Sequence, residues 1–326
     1  MRYTYTPWLD EYNAKDYPPV RHGTYMTRLR IFLFLLFLLG NSACSPSTPP
    51  VPTPTEVPST AAAAPTLTPT PILVPTATPL TCLTQPGRVI KGSVNTTNPP
   101  QLFLIYLPPC YDVQLNEKYP VLYLLHGQTY QEDEWVRLGA PNEADFLIHS
   151  GKAVPFIIVF PDDRYWNVQA GGGFGDRLIN YLIPYIDQNY RTLADRDHRA
   201  LGGLSRGGGW TVELGLQYYV MFGSLGMHSP AISTEAAPYI KNWVRSVPPD
   251  SWPRVWIDAG DRDSELGMIT QFEKLLSYYD VPHEWHLYTG DHSEKYWGSH
   301  VLEYLQWYAD GWNVQSGQVP DPTPGP

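Results

Sequence analysis

Ser205 stands between two glycines, in Gly203-Leu204-Ser205-Arg206-Gly207, a spacing that suits a serine used as a nucleophile. A small-residue strand, Ala200 to Leu204, precedes it, and a helix-like run, Trp210 to Tyr219, follows. Strand, tight turn and helix are the setting of a nucleophile elbow. The turn strains the serine backbone, and a side chain two residues to either side would clash. Glycine at both places removes the clash and leaves the hydroxyl standing proud of the sheet.

A serine hydroxyl is inert without a base, and the base needs a carboxylate to orient it. Chains that carry this elbow place the acid and then the histidine downstream. The strand Arg254 to Ala259 runs into Gly260-Asp261-Arg262-Asp263. Asp263 lies far enough past the strand end to meet an imidazole at the sheet's C-terminal edge. Asp261 is the second choice, and Asp258, inside the strand, points into a helix layer. Thr289-Gly290-Asp291-His292 follows the last strand, His283 to Tyr288, which puts His292 where the base belongs. His283 and His286 fall on opposite faces of that strand, His300 falls within a helix, and His228 is expected to line the pocket.

Acyl transfer also needs donors for the developing oxyanion. The backbone N–H of Arg206, directly after the serine, is one. The N–H of Gln128, in the loop after Leu125-His126-Gly127, is the other, with His126 structural. Tyr130, Trp135, Tyr165, Trp166, Trp210 and Trp297 are available for an apolar acyl or aryl pocket, and Trp135, Trp166 and Trp297 are the chosen substrate contacts; core packing is the competing role for each. Gly171-Gly172-Gly173-Phe174-Gly175-Asp176 lacks the G-x-G-x-x-G spacing of a dinucleotide loop and reads as a loop at the active-site mouth. No His, Cys and Asp grouping has metal-ligand spacing; neither a metal nor another cofactor is expected.

These residues need a frame to hold them. Arg88 to Thr96 and Gln101 to Leu107 read as two strands around an Asn-Pro-Pro turn. Tyr119 to His126 and Ala153 to Phe160 are continuous apolar runs, the mark of strands covered on both faces. Helical patterns lie between strands at 142–149, 176–190, 206–219, 269–279 and 295–308. Alternating strands and helices predict an α/β fold: a mostly parallel central sheet with helices on both faces and two N-terminal antiparallel strands.

The chain has 326 residues, 34 of them proline, and a formal net charge of −10. The acidic balance and the lack of a basic stripe argue against a nucleic-acid partner. About a third of residues 45–81 are proline, and such a stretch cannot bury enough apolar surface to fold. Residues 1–44 read as an N-terminal extension and export signal. The basic segment Met26 to Arg30 precedes an unbroken apolar run, Ile31 to Leu39, too short to span a membrane. Gly40-Asn41-Ser42-Ala43-Cys44 then looks like a bacterial lipoprotein processing site, with Cys44 the lipidated residue and membrane anchor. Asn41 departs from the usual Leu at that place, and ordinary signal cleavage is the alternative. The folded domain is expected over 82–314, with a disordered tail at 315–326. Cys82 and Cys110 remain as an even pair in an oxidising compartment and are expected to form a disulfide, with two buried free thiols the alternative.

The domain resembles the putative-esterase branch of the α/β-hydrolases, which includes feruloyl and acetylxylan esterases, S-formylglutathione hydrolases and mycolyltransferase antigens. The matching stretches are Tyr119 to Gly127, Arg199 to Gly208, Gly260 to Ser264 and Gly290 to Trp297, in the family's order. The resemblance implies an α/β-hydrolase fold, a Ser205, Asp263 and His292 triad, and carboxylic ester hydrolysis. Trp297 matches a tryptophan often found after the family's histidine, whereas Arg206 replaces the commoner Met or Gln. Export argues against the cytosolic formylglutathione substrate, so a feruloyl or acetyl ester of a carbohydrate is expected. An acyltransferase on the same triad, or an inactive surface-binding module, is the alternative.

Overall fold

The computed structural model describes residues 81–163 and 173–313, all within the unit Ala77–Pro326. The export segment, Cys44, the proline-rich stretch up to residue 80, Tyr165, Trp166 and the tail lie outside the described residues. Among the described residues no helix is long and apolar enough to cross a membrane.

A short 3-10 turn, Thr81–Thr84, leads into β1 (Arg88–Val94) and β2 (Gln101–Leu107), an antiparallel hairpin whose register runs from Arg88 opposite Leu107 to Val94 opposite Gln101. Next come β3 (Val121–Leu125) and β4 (Ile157–Pro161), whose residues are all buried. The sequence predicts the start of β4 at Ala153, four residues too early. Pro155 has no N–H for the ladder, and pairing begins where the Ile157 N–H donates to the Pro120 carbonyl at 2.9 Å. The remaining strands are β5 (Arg199–Leu204), β6 (Ser224–His228), β7 (Arg254–Gly260) and β8 (Glu284–Tyr288). The sheet order is β1-β2-β4-β3-β5-β6-β7-β8. From β4 to β8 every pairing is parallel, and β2 meets β4 antiparallel. The expected α/β architecture is therefore the one observed.

Two short helices follow β3: α1 (Glu134–Arg137) and α2 (Ala140–His149). The helical stretch expected at 176–190 is α3 (Phe174–Arg177), one π-helical turn and α4 (Ile183–Asn189). The others are α5 (Arg206–Gln217), α6 (Ala237–Ser246), α7 (Leu266–Tyr278) and α8 (Glu294–Asn313). Sequence periodicity gave no reading for α1, which is a single turn, or for α6.

Period-two alternation sorts the strand side chains between two layers. Leu122, Leu124, Ile158, Phe160, Ala200 and Trp256 share a core with α2 and α8, through Leu147, Tyr304, Leu305 and Tyr308. The odd-numbered set faces the layer that holds α5, where Gly215 lies against Leu225. With six strands parallel, their C-terminal ends fall along one edge, and the loops after β3, β5, β6, β7 and β8 carry Gly127, Ser205, Ser229, Asp263 and His292.

Candidate active site

Ser205 occupies the turn between β5 and α5 with φ 52° and ψ −119°, outside the regions that non-glycine residues favour. The surroundings hold it there. Its N–H donates to the His228 carbonyl at 3.0 Å, and its own carbonyl accepts from Ala231 N–H at 2.8 Å and Gly209 N–H at 2.9 Å. Such strain persists only when neighbouring contacts over-determine it.

His292 reaches the serine from the loop between β8 and α8. Ser205 Oγ–H donates to His292 Nε2 at 2.7 Å, and His292 Nδ1–H donates to Asp263 Oδ1 at 2.9 Å. The Nδ1 bond fixes the tautomer and leaves the Nε2 lone pair facing the hydroxyl. Asp263 is buried, and its Oδ1 also accepts the Glu265 N–H at 2.7 Å. Burial alone would raise its pKa, but the bonds from His292 and from the Glu265 N–H outweigh it and hold the carboxyl below the usual range. This acid stays ionised beside the His292 ring.

Ser205 and His292 open onto a cavity of about 490 Å³ lined also by Gly127, Gln128, Tyr130 and Trp297, among others. Gln128 lines the cavity with Ser205, and Arg206, directly after the serine, is the first residue of α5. A helix's first N–H groups have no partner inside the helix, so this end attracts negative charge. The Arg206 guanidinium turns away to the Asp163 carboxylate and carbonyl, and Trp210 Nε1–H donates to the same carboxylate at 3.0 Å. Trp297 stands edge-on to the His292 ring, with centroids 4.9 Å apart. At the rim, Arg137 Nη1–H donates to Glu294 Oε1 at 2.8 Å.

Trp135 and His228, expected as substrate contacts, are corrected by the structure: both are core residues. Trp135 is 1% exposed and its Nε1–H donates to the Leu125 carbonyl at 2.9 Å. His228, the last residue of β6, is fully buried and sits directly opposite Asp258 of β7. Its Nδ1–H donates to Asp258 Oδ2 at 2.7 Å, and its ring stacks on Tyr304 at 3.7 Å. Asp258 also receives Trp256 Nε1–H, Tyr296 O–H and Tyr304 O–H, so it faces the helix layer as its strand position predicts. Asp261 stays at the surface turn and accepts the Gly290 N–H. His283 precedes β8 rather than lying in it, and the Gly171–Gly172 part of the glycine loop falls outside the described residues.

Sequence reasoning missed a buried polar cluster behind Gly127. His126 Nδ1–H donates to the Gly127 carbonyl at 2.7 Å, and its Nε2 faces the Asp163 carboxylate at 2.9 Å and Asp162 at 3.7 Å. Burial works against the imidazolium, but Asp162, Asp163 and the Gly127 carbonyl raise its pKa to about 9. Nε2 also lies 3.0 Å from the Asp163 N–H; once protonated, it gives its hydrogen to the carboxylate rather than accepting from the amide. Glu134, fully buried, accepts the Gly127 N–H at 2.7 Å. The one signal was Asp162-Asp163, two acids at the end of an otherwise apolar strand. No group of three or more His, Cys, Asp or Glu able to hold a metal occurs among the described residues.

A family model described as "Putative esterase" matches residues 95–308. An endo-1,4-beta-xylanase/feruloyl esterase of Xylanibacter ruminicola is 32% identical over 195 residues, covering 56% of this chain and 25% of that protein. A Mycobacterium tuberculosis esterase is 27% identical over 246 residues, covering 58% of this chain and 51% of its own. The chain thus spans about half the length of these curated relatives, or less. Among solved structures, a ferulic acid esterase superposes with TM-score 0.63 at 25% identity, covering 69% of this chain and 98% of that one. An S-formylglutathione hydrolase from Staphylococcus aureus superposes with TM-score 0.59 at 20% identity over 69% and 98%, a likeness of fold.

Proposed function

The chain belongs to the "Putative esterase" family of α/β-hydrolases, and from that premise we propose that it is an exported carboxylic ester hydrolase working through Ser205, His292 and Asp263. The observation that carries the reading is the unbroken hydrogen-bonded chain from Ser205 Oγ through His292 to buried Asp263, at the floor of an open cavity.

In this mechanism His292 Nε2 takes the Ser205 proton as Oγ attacks the ester carbonyl carbon. The imidazolium keeps its Nδ1–H on Asp263, and the oxyanion is met by the N–H groups of Arg206 and Gln128. Collapse of the intermediate breaks the bond to the alkoxy oxygen, and His292 gives that oxygen its proton. Water, deprotonated by the same imidazole, then attacks the acyl-enzyme. Its proton passes through His292 to Ser205 Oγ as the acid departs.

The proposed substrates are feruloyl or acetyl esters of carbohydrates. Two relatives carry feruloyl or ferulic acid esterase names, and Trp297 gives the cavity an aromatic wall beside the base. The basic and apolar run at 26–39 followed by Cys44 supports export and a lipid anchor; loss of a fatty-acyl label in Cys44→Ala is the expected result. The central test compares p-nitrophenyl acetate and methyl ferulate hydrolysis by the purified protein and by Ser205→Ala. Turnover is expected to fall by roughly 10⁴–10⁶ in the variant. Equal rates in the two proteins on both esters would remove the reading.

A further inference from the structure

Gly127 is held from both of its peptide groups by buried ionisable side chains. Its N–H donates to Glu134 Oε2 at 2.7 Å, and its carbonyl accepts His126 Nδ1–H at 2.7 Å and the Tyr130 N–H at 3.3 Å. That carbonyl belongs to the same planar unit as the Gln128 N–H. The Gly127–Gln128 peptide is trans, so the C=O and N–H point in opposite directions. Drawing the carbonyl inward to His126 therefore sends the Gln128 N–H outward, on the side where Gln128 and Ser205 line the cavity.

We infer that His126 and Glu134 are positioning residues, a clamp that aims the Gln128 N–H at the substrate's carbonyl oxygen. The inference rests on the ester-hydrolase reading and deepens it. Neither side chain lines the cavity with Ser205, so the clamp acts through the loop it holds. Both are costly to bury: His126 is 1% exposed and Glu134 fully buried, and buried ionisable groups often stabilise a fold no better than apolar residues of similar volume. Glu134 Oε1 has no hydrogen-bond partner, so the Gly127 N–H is the carboxyl's one direct bond. A donor fixed before the reaction costs no reorganisation when charge develops.

The groups facing Glu134 are His126 beyond β3, Glu294 of α8 and Arg137 of its own helix. Burial and Glu294 raise its pKa, the Gly127 N–H, His126 and Arg137 lower it, and the result is a carboxyl pushed up to about 7. Protonation near neutrality weakens the hold on the Gly127 N–H, because a charged acceptor bonds more strongly than a neutral one.

The test uses the full chain, with active serines counted by fluorophosphonate labelling and kcat stated per labelled serine. With p-nitrophenyl acetate, Glu134→Leu removes the acceptor and is expected to lower kcat about 10²-fold with KM unchanged. Glu134→Gln keeps a neutral oxygen for the Gly127 N–H and is expected to restore part of the rate, the part that the protonated wild type also keeps. The acid limb of its pH–kcat profile should be shallower than the wild type's, since one ionisation is gone. Wild-type kcat in the Leu variant, or a Gln variant as slow as Leu, overturns the inference. If the Leu variant does not fold, the profiles decide, and matching acid limbs for Gln and wild type overturn it. Ser205→Ala separates the two readings: an active Ser205→Ala removes ester hydrolysis through this serine, whereas an inactive one beside a fast Glu134→Leu removes the clamp alone.

Discussion

Gly203 and Gly207 pass so closely beneath Ser205 that a methyl group built on Gly203 would be driven into the Gly207 carbonyl carbon. A methyl on Gly207 would in turn meet the Leu125 carbonyl oxygen. Backbone is on the receiving side in both cases, so no rotamer change relieves either clash. Gly203→Ala and Gly207→Ala are each expected to cost about 1–3 kcal/mol and to displace Ser205 from His292. Urea midpoints and kcat measured together check this; two variants with wild-type values on both would show that the turn is not tight.

Trp135 and Trp297 both belong to the buried core, and of the two Trp297 also lines the cavity. Trp135 is sealed among Tyr304 and His228, so Trp135→Ala is expected to cost about 3–5 kcal/mol of stability. Its ratio of kcat/KM for methyl ferulate over p-nitrophenyl acetate should stay at the wild-type value. Trp297 touches the His292 ring and the cavity, so Trp297→Ala should change that ratio and lower kcat/KM by roughly two- to tenfold, the worth of an aromatic contact. A specificity ratio moved by Trp135→Ala and untouched by Trp297→Ala would reverse the assignment.

The elbow was legible because glycines two residues either side of a serine answer a local steric problem, visible in five consecutive residues. Asp263 and His292 were legible because a loop position after a strand is also a local property. Trp135 and His228 were not. The partner of His228 is Asp258, thirty positions on in sequence, and the two meet only because β6 pairs with β7 in a register that sets them opposite each other. Nothing near His228 announces that register, so a histidine at a strand's C-terminal end read as a pocket residue. Glu134 escaped notice for a like reason: its partner is a backbone N–H, which every non-proline residue offers.

Asp258 is fully buried and takes four donors, from His228, Trp256, Tyr296 and Tyr304. Two of those donors lie on α8, so the carboxylate ties that helix to β6 and β7 behind the His292 loop. Asp258→Ala removes the acceptor that four buried donors share and is expected to cost about 3–5 kcal/mol. Denaturant unfolding measures it. A loss below about 1 kcal/mol, the scale of a single net hydrogen bond, would show that the network is dispensable.

Cys82 and Cys110, the pair expected to bridge, form a disulfide across 28 positions. It fastens the Thr81–Thr84 turn to the end of β2. Chain-entropy arithmetic for a loop of that length gives about 3–4 kcal/mol. Reduction, or Cys82→Ser, should therefore lower the unfolding free energy by that amount while leaving kcat at its wild-type value, since neither cysteine approaches the cavity. Two thiols alkylated without reductant in the purified protein would refute the bridge.

The His126 imidazolium makes stability fall on the alkaline side. Its folded pKa, raised to about 9, lies above the unfolded value of about 6.5. The folded state therefore holds the proton more tightly, and the stabilisation is complete below pH 6.5 and lost as pH rises through 9, about 3 kcal/mol in all. Glu134 titrates with the same sign but lower, since an acid raised to about 7 weakens folding between roughly pH 4.3 and 7. Reading from pH 7.5 to 9.5 isolates the histidine, where about 2 kcal/mol of its share remains to be lost. His126→Gln removes the titration, so wild type should lose about 2 kcal/mol more than the variant across that window. Groups common to both proteins cancel in the difference. Parallel declines in urea-derived free energies would mean that His126 is neutral in the folded state, with the Asp163 N–H donating to Nε2.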